Sequence, residues 1–240
     1  KNHLKTLKGK VRIDYKKTPV AVKERISGYV FDDDPCVLPK AKKNNVEIRG
    51  TKKAHLRDAT AVTEFLFWVS KQKPGTFTEI DAVTELERLR RKLLNFRDIS
   101  FDTISGSGPN GALPHYRVTH KTNRVVKNGE VLLVDSGAQF LDGTTDITRS
   151  ISIGKPTREQ KIFYTLVLKG MVAISKVRFP RGLTGRDIDS LARVPLWEIG
   201  HDYDHGTGHG VGVYLSVHEG PQRISRASNI VLEEGMILSN

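Results

Sequence analysis

Three acidic residues interrupt a stretch that otherwise has the pattern of paired β-strands. In VDSGAQFLDGTTDITRS (134–150), Asp135, Asp142 and Asp146 lie among apolar residues, and Asp142-Gly143 is a typical turn signal. Asp and Gly are depleted in strands, so their presence here goes against local propensity. Departures of this kind are expected at functional sites, and carboxylates are the groups that bind cations or move protons.

The spacing of two of these aspartates predicts a close pair of like charges. Asp135 and Asp146 are eleven residues apart, and a hairpin centred between Phe140 and Leu141 would make them direct cross-strand partners. Such partners have Cβ atoms roughly 4.5–5.5 Å apart, where two carboxylates repel unless a proton, a basic side chain or a cation compensates. A β-bulge would shift this register. From this stretch alone, a salt bridge to Arg149 and a metal site are equally good interpretations.

A second stretch favours the metal site. DHGTGHGVGVYLSVHEGP (204–221) contains His205, His209 and His218, and glycines alternate with other residues at 206, 208, 210 and 212. In an extended chain this places His205 and His209 on one face and leaves the glycine face bare, which suits close approach by another segment or a ligand. Carboxylates with imidazole suit divalent ions such as Mn²⁺, Co²⁺ or Zn²⁺, and no thiolate is near enough for a cysteine-type zinc site.

Composition restricts the class of protein. The 240 residues can bury one main core plus a fragment of another domain. Hydrophobic residues make up 38% of the chain with no apolar run near 18 residues, which excludes a membrane-spanning helix. The net charge of +12 comes from scattered lysines and arginines without interleaved aromatic residues, so it favours a solvated surface over a nucleic-acid site. A single cysteine, Cys36, suits a reducing cytoplasm.

The elements that must position these residues can be outlined from periodicity. Residues 1–40 are too short and Lys-rich for a core of their own and are expected to be the tail of a preceding domain, whereas 41–240 form the main domain. Apolar spacing predicts helices over about 54–69, 80–93, 157–176 and 184–200, the second and third opened by capping boxes at Thr76/Glu79 and Thr157/Gln160. Pro195 should kink or end the last helix. Helices preceding β-rich blocks indicate an α+β protein.

Four ordered motifs resemble the aminopeptidase P (Xaa-Pro aminopeptidase) family of pita-bread metallopeptidases. LLVDSGAQFLDGTTDITRS and DYDHGTGHGVGVYLSVHEGPQRIS are similar to its metal-binding segments, KNNVEIRGTKKAHLRDATAVTEFLFW (43–68) to its entry into the catalytic domain, and NGALPHYR (110–117) to its substrate loop. The resemblance implies a pita-bread catalytic domain, incomplete at its C-terminus, preceded by the end of a smaller α/β domain. A longer parent protein is therefore expected.

The resemblance also assigns roles to individual residues. It makes Asp135, Asp146 and His209 metal ligands, and it places His115, His205 and His218 at the substrate site, with His218 handling protons. The family's two further ligands are glutamates, the first in a stretch that would follow GMILSN, where this sequence stops at Asn240. Residues 1–240 alone are therefore expected to be inactive.

The function implied by the resemblance is the removal of an N-terminal residue from peptides with proline second. It implies two divalent ions, most simply Mn²⁺, with Co²⁺ or Zn²⁺ as alternatives, in a cytoplasmic enzyme that acts on peptides and for which a homodimer is a candidate state. The nearest alternative is Xaa-Pro dipeptidase, or prolidase, with the same chemistry on dipeptides. An alternative of another class is a pita-bread binding module that has lost catalysis, against which the retained Asp135, Asp146 and His209 argue.

Overall fold

Residues 3–240 are described by a computed structural model, in which the chain divides into two units, the first ending at Lys40 and the second comprising Ala41–Asn240. In the first unit, β1 (Val11–Ile13) pairs in parallel with β2 (Tyr29–Phe31) across the short helix α1 (Val20–Lys23). A further short helix, α2 (Val37–Ala41), ends at the boundary. The origin of residues 1–40 as the end of a preceding α/β domain stays a prediction.

Two long helices open the second unit. Helix α3 (Asn45–Lys71) begins at a capping box in which Asn44 and Glu47 satisfy each other's backbone amides. Helix α4 (Glu79–Arg90) begins at Thr78, whose capping partner is Asp81. The predicted capping box at Thr76 and Glu79 is therefore wrong by two residues, because the side chain of Glu79 is drawn into the interior.

Two three-stranded sheets follow the helices. One has the order β3-β6-β7 and the other the order β4-β5-β8, all antiparallel. Their bounds are β3 (Phe96–Ile99), β4 (Ile104–Ser107), β5 (Val131–Ser136), β6 (Ala138–Phe140), β7 (Gly143–Thr144) and β8 (Ile147–Ser152). The helices and the second sheet share a core that includes Phe65, Leu86, Leu132 and Val134, which fixes β5 against α3 and α4.

The C-terminal part of the unit is built from two more helices and short strands. Helix α5 (Arg158–Lys176) opens at the predicted Thr157/Gln160 capping box, which is confirmed. Helix α6 (Gly185–Trp197) continues two residues beyond Pro195 rather than ending at it. Strands β9 (Gly208–His209) and β10 (Arg223–Ile224) pair antiparallel, and Ile224 packs into a core with Ile174 and Ile188.

The element content is that of an α+β protein, as predicted: along the sequence of the second unit, two helices precede the two three-stranded antiparallel sheets and two follow them. None of the helices within residues 3–240 is long and apolar enough to cross a bilayer.

Candidate metal centre

The strand ladder places Asp135 opposite Thr148. Strands β5 and β8 remain in register throughout, and β6 and β7 continue the same hairpin to a turn at Leu141 and Asp142, where Phe140 faces Gly143. The predicted register, with Asp135 opposite Asp146, is therefore wrong by two residues, because the turn uses the Asp-Gly signal one residue later than expected.

The corrected register makes Asp135 and Asp146 diagonal neighbours. Asp146 lies two residues before Thr148, and period two puts both on the same face of the hairpin. Diagonal positions are about 7–8 Å apart between Cα atoms, with somewhat closer Cβ atoms, so the two carboxylates flank a space instead of colliding. This spacing leaves room for an ion between them.

Close chain approach accompanies the two aspartates. A Cβ on Gly137 would lie 2.0 Å from the carbonyl oxygen of Thr145, so only glycine permits this contact. The hydroxyl of Thr145 donates to buried Asp58 at 2.7 Å, and Asp58 also accepts two hydrogen bonds from fully buried Arg90. The residue immediately before Asp146 is thus fixed by a buried ion pair.

His209 lies in direct contact with Asp146. Its Nε2 is 3.1 Å from Asp146 Oδ2, and its Nδ1 is 2.9 Å from the carbonyl oxygen of Gly210. Burial works against the charged imidazolium, but the hydrogen bonds to Asp146 and Gly210 and the charges of Asp146 and Asp135 outweigh it, so the pKa of His209 is raised. The Nε2 atom of His209 is therefore directed at the Asp146 carboxylate.

Asp135 is a partly buried carboxylate near the end of β5. Burial is the main reason that its pKa is raised, and the charge of Asp146 adds to the effect. A hydrogen bond of 2.7 Å from the Thr148 hydroxyl partly offsets both. Thr148 was not identified from the sequence, although it lies two residues beyond Asp146 and the correct register would have pointed to it.

The donor set fits a divalent ion, although the side chains are not gathered into a finished cage. Within residues 3–240, no group of three or more His, Cys, Asp or Glu side chains already has the spacing of a metal site. The structure shows instead one pair in contact, Asp146 and His209, with Asp135 coupled to both by charge. With Nδ1 of His209 donating to a backbone carbonyl, Nε2 is left as the ligand atom, the arrangement usual for metal-binding histidines.

Arg149 does not neutralise the aspartates. It pairs across the ladder with Val134, which turns it to the face opposite Asp135 and Thr148, and its guanidinium donates to the Thr148 carbonyl at 2.7 Å. Of the two interpretations that the sequence left open, the structure therefore disfavours the Arg149 salt bridge.

Two further histidines extend from the Asp146–His209 pair. The ring centroid of His218 is 4.2 Å from that of His209, and the ring of His115 is 6.3 Å from that of His218. Burial, and then the charge of His209, lower the pKa of His218, so it is neutral at pH 7. His205 has different contacts: its ring lies 4.7 Å from that of Tyr203, its Nδ1 donates to the Gly206 carbonyl at 2.8 Å, and its own carbonyl accepts from Arg193 at 2.8 Å.

The alternating glycines allow chain segments to approach closely, as predicted. A Cβ on Gly208 would lie 2.0 Å from the carbonyl oxygen of Ser239, and one on Gly210 would lie 2.0 Å from that of Glu219. Glu219, next to His218, pairs with buried Lys43 at 2.7 Å. That pair joins residues far apart in the sequence, and no local pattern could have revealed it.

Comparison with known proteins identifies the family of this chain. Residues 49–240 match the model of metallopeptidase family M24, and the chain belongs to this family. It is similar to Xaa-Pro aminopeptidase 1 of Dictyostelium discoideum, at 48% identity over 90% of this chain and 35% of that protein. Aminopeptidase P1 of Lotus japonicus is 43% identical over 88% of this chain and 36% of the relative. The chain thus spans about a third of the length of these relatives.

Solved structures share the fold. The X-prolyl aminopeptidase of Caenorhabditis elegans, described as a cytosolic enzyme with a di-nuclear active site, superposes with a TM-score of 0.85 at 38% identity, over 95% of this chain and 38% of that one. Prolidase from Pyrococcus furiosus superposes with a TM-score of 0.84 at 27% identity, over 99% of this chain and 68% of that one. The predicted family and the pita-bread fold are confirmed.

Proposed function

We propose that this chain carries part of the catalytic site of a Xaa-Pro aminopeptidase, which hydrolyses the first peptide bond of peptides with proline second. The observation that carries the proposal is the contact of His209 with Asp146, with Asp135 beside them and His218 against His209. The names of the relatives at 43% and 48% identity support the same activity.

Asp135, Asp146 and His209 would hold the metal. Two divalent ions there would supply Lewis-acid activation of a water molecule and of the scissile carbonyl. Mn²⁺ is our proposed metal, with Co²⁺ and Zn²⁺ as alternatives, because two carboxylates and one imidazole form a donor set of hard to borderline character. Thr148 would keep Asp135 oriented through its hydrogen bond, and the Gly210 carbonyl would do the same for His209.

His218 is the proposed proton-handling group. Because its pKa is lowered, it is neutral at pH 7 and can take a proton at one ring nitrogen while the other donates a hydrogen bond. His115, on the far side of His218, would contact the substrate. His205 is proposed as a substrate residue on the family resemblance alone, because in this structure it lies beside Tyr203.

Prolidase activity is the second candidate, because a prolidase superposes on this chain about as well as an aminopeptidase does. A catalytically inactive binding module is the third, and the retained pair Asp146–His209 argues against it. The +12 charge is attributed to solvated surface, so no nucleic-acid partner is proposed. A cytoplasmic location is proposed because the Caenorhabditis elegans relative is described as cytosolic, and a homodimer is proposed on the family resemblance alone.

One experiment separates the three. The full-length protein is stripped with chelator, reloaded with Mn²⁺, Co²⁺ or Zn²⁺ in turn, and assayed on an X-Pro dipeptide, an X-Pro-Y tripeptide and the matching X-Ala-Y tripeptide. The aminopeptidase proposal predicts metal-dependent cleavage of X-Pro-Y, with X-Ala-Y resistant. Cleavage restricted to the dipeptide would establish prolidase, and no cleavage of any peptide with any of the metals would favour the binding module. Full activity in chelator would contradict a metallopeptidase of either kind.

A further inference from the structure

The backbone of the loop that carries His115 is bound by a buried carboxylate, that of Glu79. Residues 108–123 connect β4 to the segment that begins at Arg124, and His115 lies at the exposed outer part of this loop. Its φ of 58° is in the left-handed region that non-glycine residues rarely adopt. Such a conformation persists only where the surroundings determine it, so something must fix this loop.

We propose that Glu79 is a positioning residue for the substrate side of the site, holding residues 107–124 so that His115 faces His218. The inference rests on the proposed function, since it takes His115 to be a substrate-contacting group. Glu79 is the first residue of α4 and its side chain is fully buried. It does not touch the Asp and His cluster and acts through the loop.

Glu79 binds both ends of the loop. Its Oε1 accepts a hydrogen bond of 2.7 Å from the backbone amide of Ser107, and its Oε2 accepts one of 3.0 Å from the amide of Arg124. The backbone amide of Glu79 donates in turn to the Arg124 carbonyl at 3.0 Å. The backbone at both ends of the loop therefore converges on Glu79, while the side chains of Ser107 and Arg124 donate to partly buried Glu130 at 2.7 and 2.6 Å.

Glu79 also binds the middle of the loop. The amide nitrogen of Asn110 donates to Oε1 at 3.0 Å, and the hydroxyl of Tyr116 donates to Oε2 at 3.2 Å. Tyr116 is the neighbour of His115 and is buried, whereas Leu113 on the same loop is 55% exposed. These contacts hold the middle of the loop, including the residue next to His115, against the start of α4.

The chemistry requires a carboxylate at this position. Four donors converge on Glu79, and an ionised carboxylate offers only acceptors. Glutamine has nearly the same shape, but its NH₂ group would face donors at two of these contacts and leave them unpaired. A buried donor without a partner costs its full desolvation free energy, and a charge-assisted hydrogen bond is stronger than a neutral one, so the substitution should destabilise the loop.

The test is a double-mutant cycle in the full-length protein. Glu79→Gln should lower kcat/KM for an X-Pro-Y peptide by about 10- to 100-fold, the factor corresponding to loss of a charge-assisted hydrogen bond. Bound metal per chain should stay unchanged. In a His115→Ala background, the same substitution should cost less than about 3-fold, because positioning residues act through the group they position. Losses that simply multiply would overturn the proposal.

A control and a milder variant guard against a trivial outcome. Glu85→Gln lies on the same helix, where Glu85 pairs with half-exposed Arg88, and it should leave kcat/KM and metal content unchanged. If Glu79→Gln fails to fold, Tyr116→Phe removes one donor and is taken through the same cycle with His115→Ala. Additive losses in that cycle would contradict the proposal equally.

Hydrogen exchange separates this inference from the proposed function. The amides of Ser107 and Arg124 should exchange faster in Glu79→Gln, whereas those of residues 131–136 should not change. If the wild-type protein shows no X-Pro hydrolysis, the proposed function fails, and the exchange data alone judge the role of Glu79. Unchanged exchange across residues 107–124 would exclude it.

Discussion

The two halves of the site are held in different ways. The aspartate strand pair, residues 131–152, is a regular ladder in which six consecutive residues of β5 have partners on β8. The histidine segment, residues 203–222, contains only the two-residue strand β9, and most of its length is irregular. A regular ladder therefore fixes Asp135, whereas His218 is held by isolated backbone hydrogen bonds, such as that from the Glu219 amide to the Gly210 carbonyl at 2.8 Å, together with side-chain anchors.

The side-chain anchors of the histidine segment come from distant parts of the sequence. Arg193 on α6, which is buried, donates to the carbonyls of Tyr203 at 2.6 Å and His205 at 2.8 Å. Lys43, just before α3, pairs with Glu219 at 2.7 Å with almost no solvent exposure. Removing one of these side-chain contacts should thus displace the histidines, whereas removing a single side-chain contact of the β5–β8 strand pair should have little effect on Asp135.

The largest effect is expected at His218. Replacing it with alanine in the full-length protein should lower kcat by about 10²–10⁴, the range for loss of a general acid–base group. Metal content should stay near that of the wild type, because Asp135, Asp146 and His209 are untouched. His3→Ala, at an exposed histidine of the N-terminal unit, serves as the control. A loss of metal in proportion to activity would make His218 a ligand instead.

The next effect tests the anchors directly. Lys43→Met leaves the Glu219 carboxylate without its buried partner and should destabilise the protein by about 1.5–3 kcal/mol, as for a hydrogen bond to a charged group. Turnover should fall because Glu219 adjoins His218, whereas metal affinity should not change. Thermal unfolding measures the stability, steady-state kinetics the turnover, and metal titration the affinity.

A neighbouring lysine provides the matched control for that experiment. Lys42 pairs with Glu233 at the surface, where both side chains are 40% exposed or more. Lys42→Met should therefore cost at most about 1 kcal/mol and leave turnover unchanged. Equal losses in the two variants would mean that burial of the Lys43–Glu219 pair has no special role in the histidine segment.

A smaller effect is expected from the hydroxyl that orients Asp135. Thr148→Val keeps a β-branched residue in β8 but removes the 2.7 Å hydrogen bond to Asp135. Metal affinity should fall by about 10- to 100-fold, the range for a group that supports a ligand. Isothermal titration of Mn²⁺ into protein that has been stripped of metal measures this affinity, with Thr165→Val on α5 as the control. An unchanged affinity would remove Thr148 from the site.

Short-range features of this fold were predictable from sequence, and register and distant partners were not. Thr157 and Gln160 open α5 as predicted, because a capping box is a local pattern. The segment GTFTEID offers two threonines with an acid three residues later, and the choice of Thr78 over Thr76 depended on burial of Glu79. The aspartate pair was recognised, but its register required the position of the turn.

The site shows the same division. Asp135, Asp146, His209 and His218 are conspicuous in their motifs, and the structure brings them together with His115. Glu79 lies in an ordinary helix start, and only the folded chain shows four donors converging on it. Long-range polar contacts of this kind have no sequence period, so periodicity cannot reveal them.

The smallest effect is expected from the ion pair between Arg57 and Asp142, which lies at the turn between β6 and β7. Arg57 on α3 binds Asp142 through two hydrogen bonds of 2.9 and 3.0 Å, and these lower the pKa of Asp142. A lowered pKa means that the pair stabilises the fold above the ordinary Asp pKa of about 3.9 and that this contribution is lost as pH falls through the folded-state value.

Asp142→Asn should therefore cost about 0.5–1 kcal/mol at pH 7, and the difference from wild type should shrink progressively below about pH 4. Thermal unfolding over that pH range measures it, and in an Arg57→Met background the substitution should have almost no effect. Because the β5–β8 ladder fixes Asp135 independently of the turn, metal content should not change; a loss of metal in Asp142→Asn would contradict the contrast between ladder and anchors.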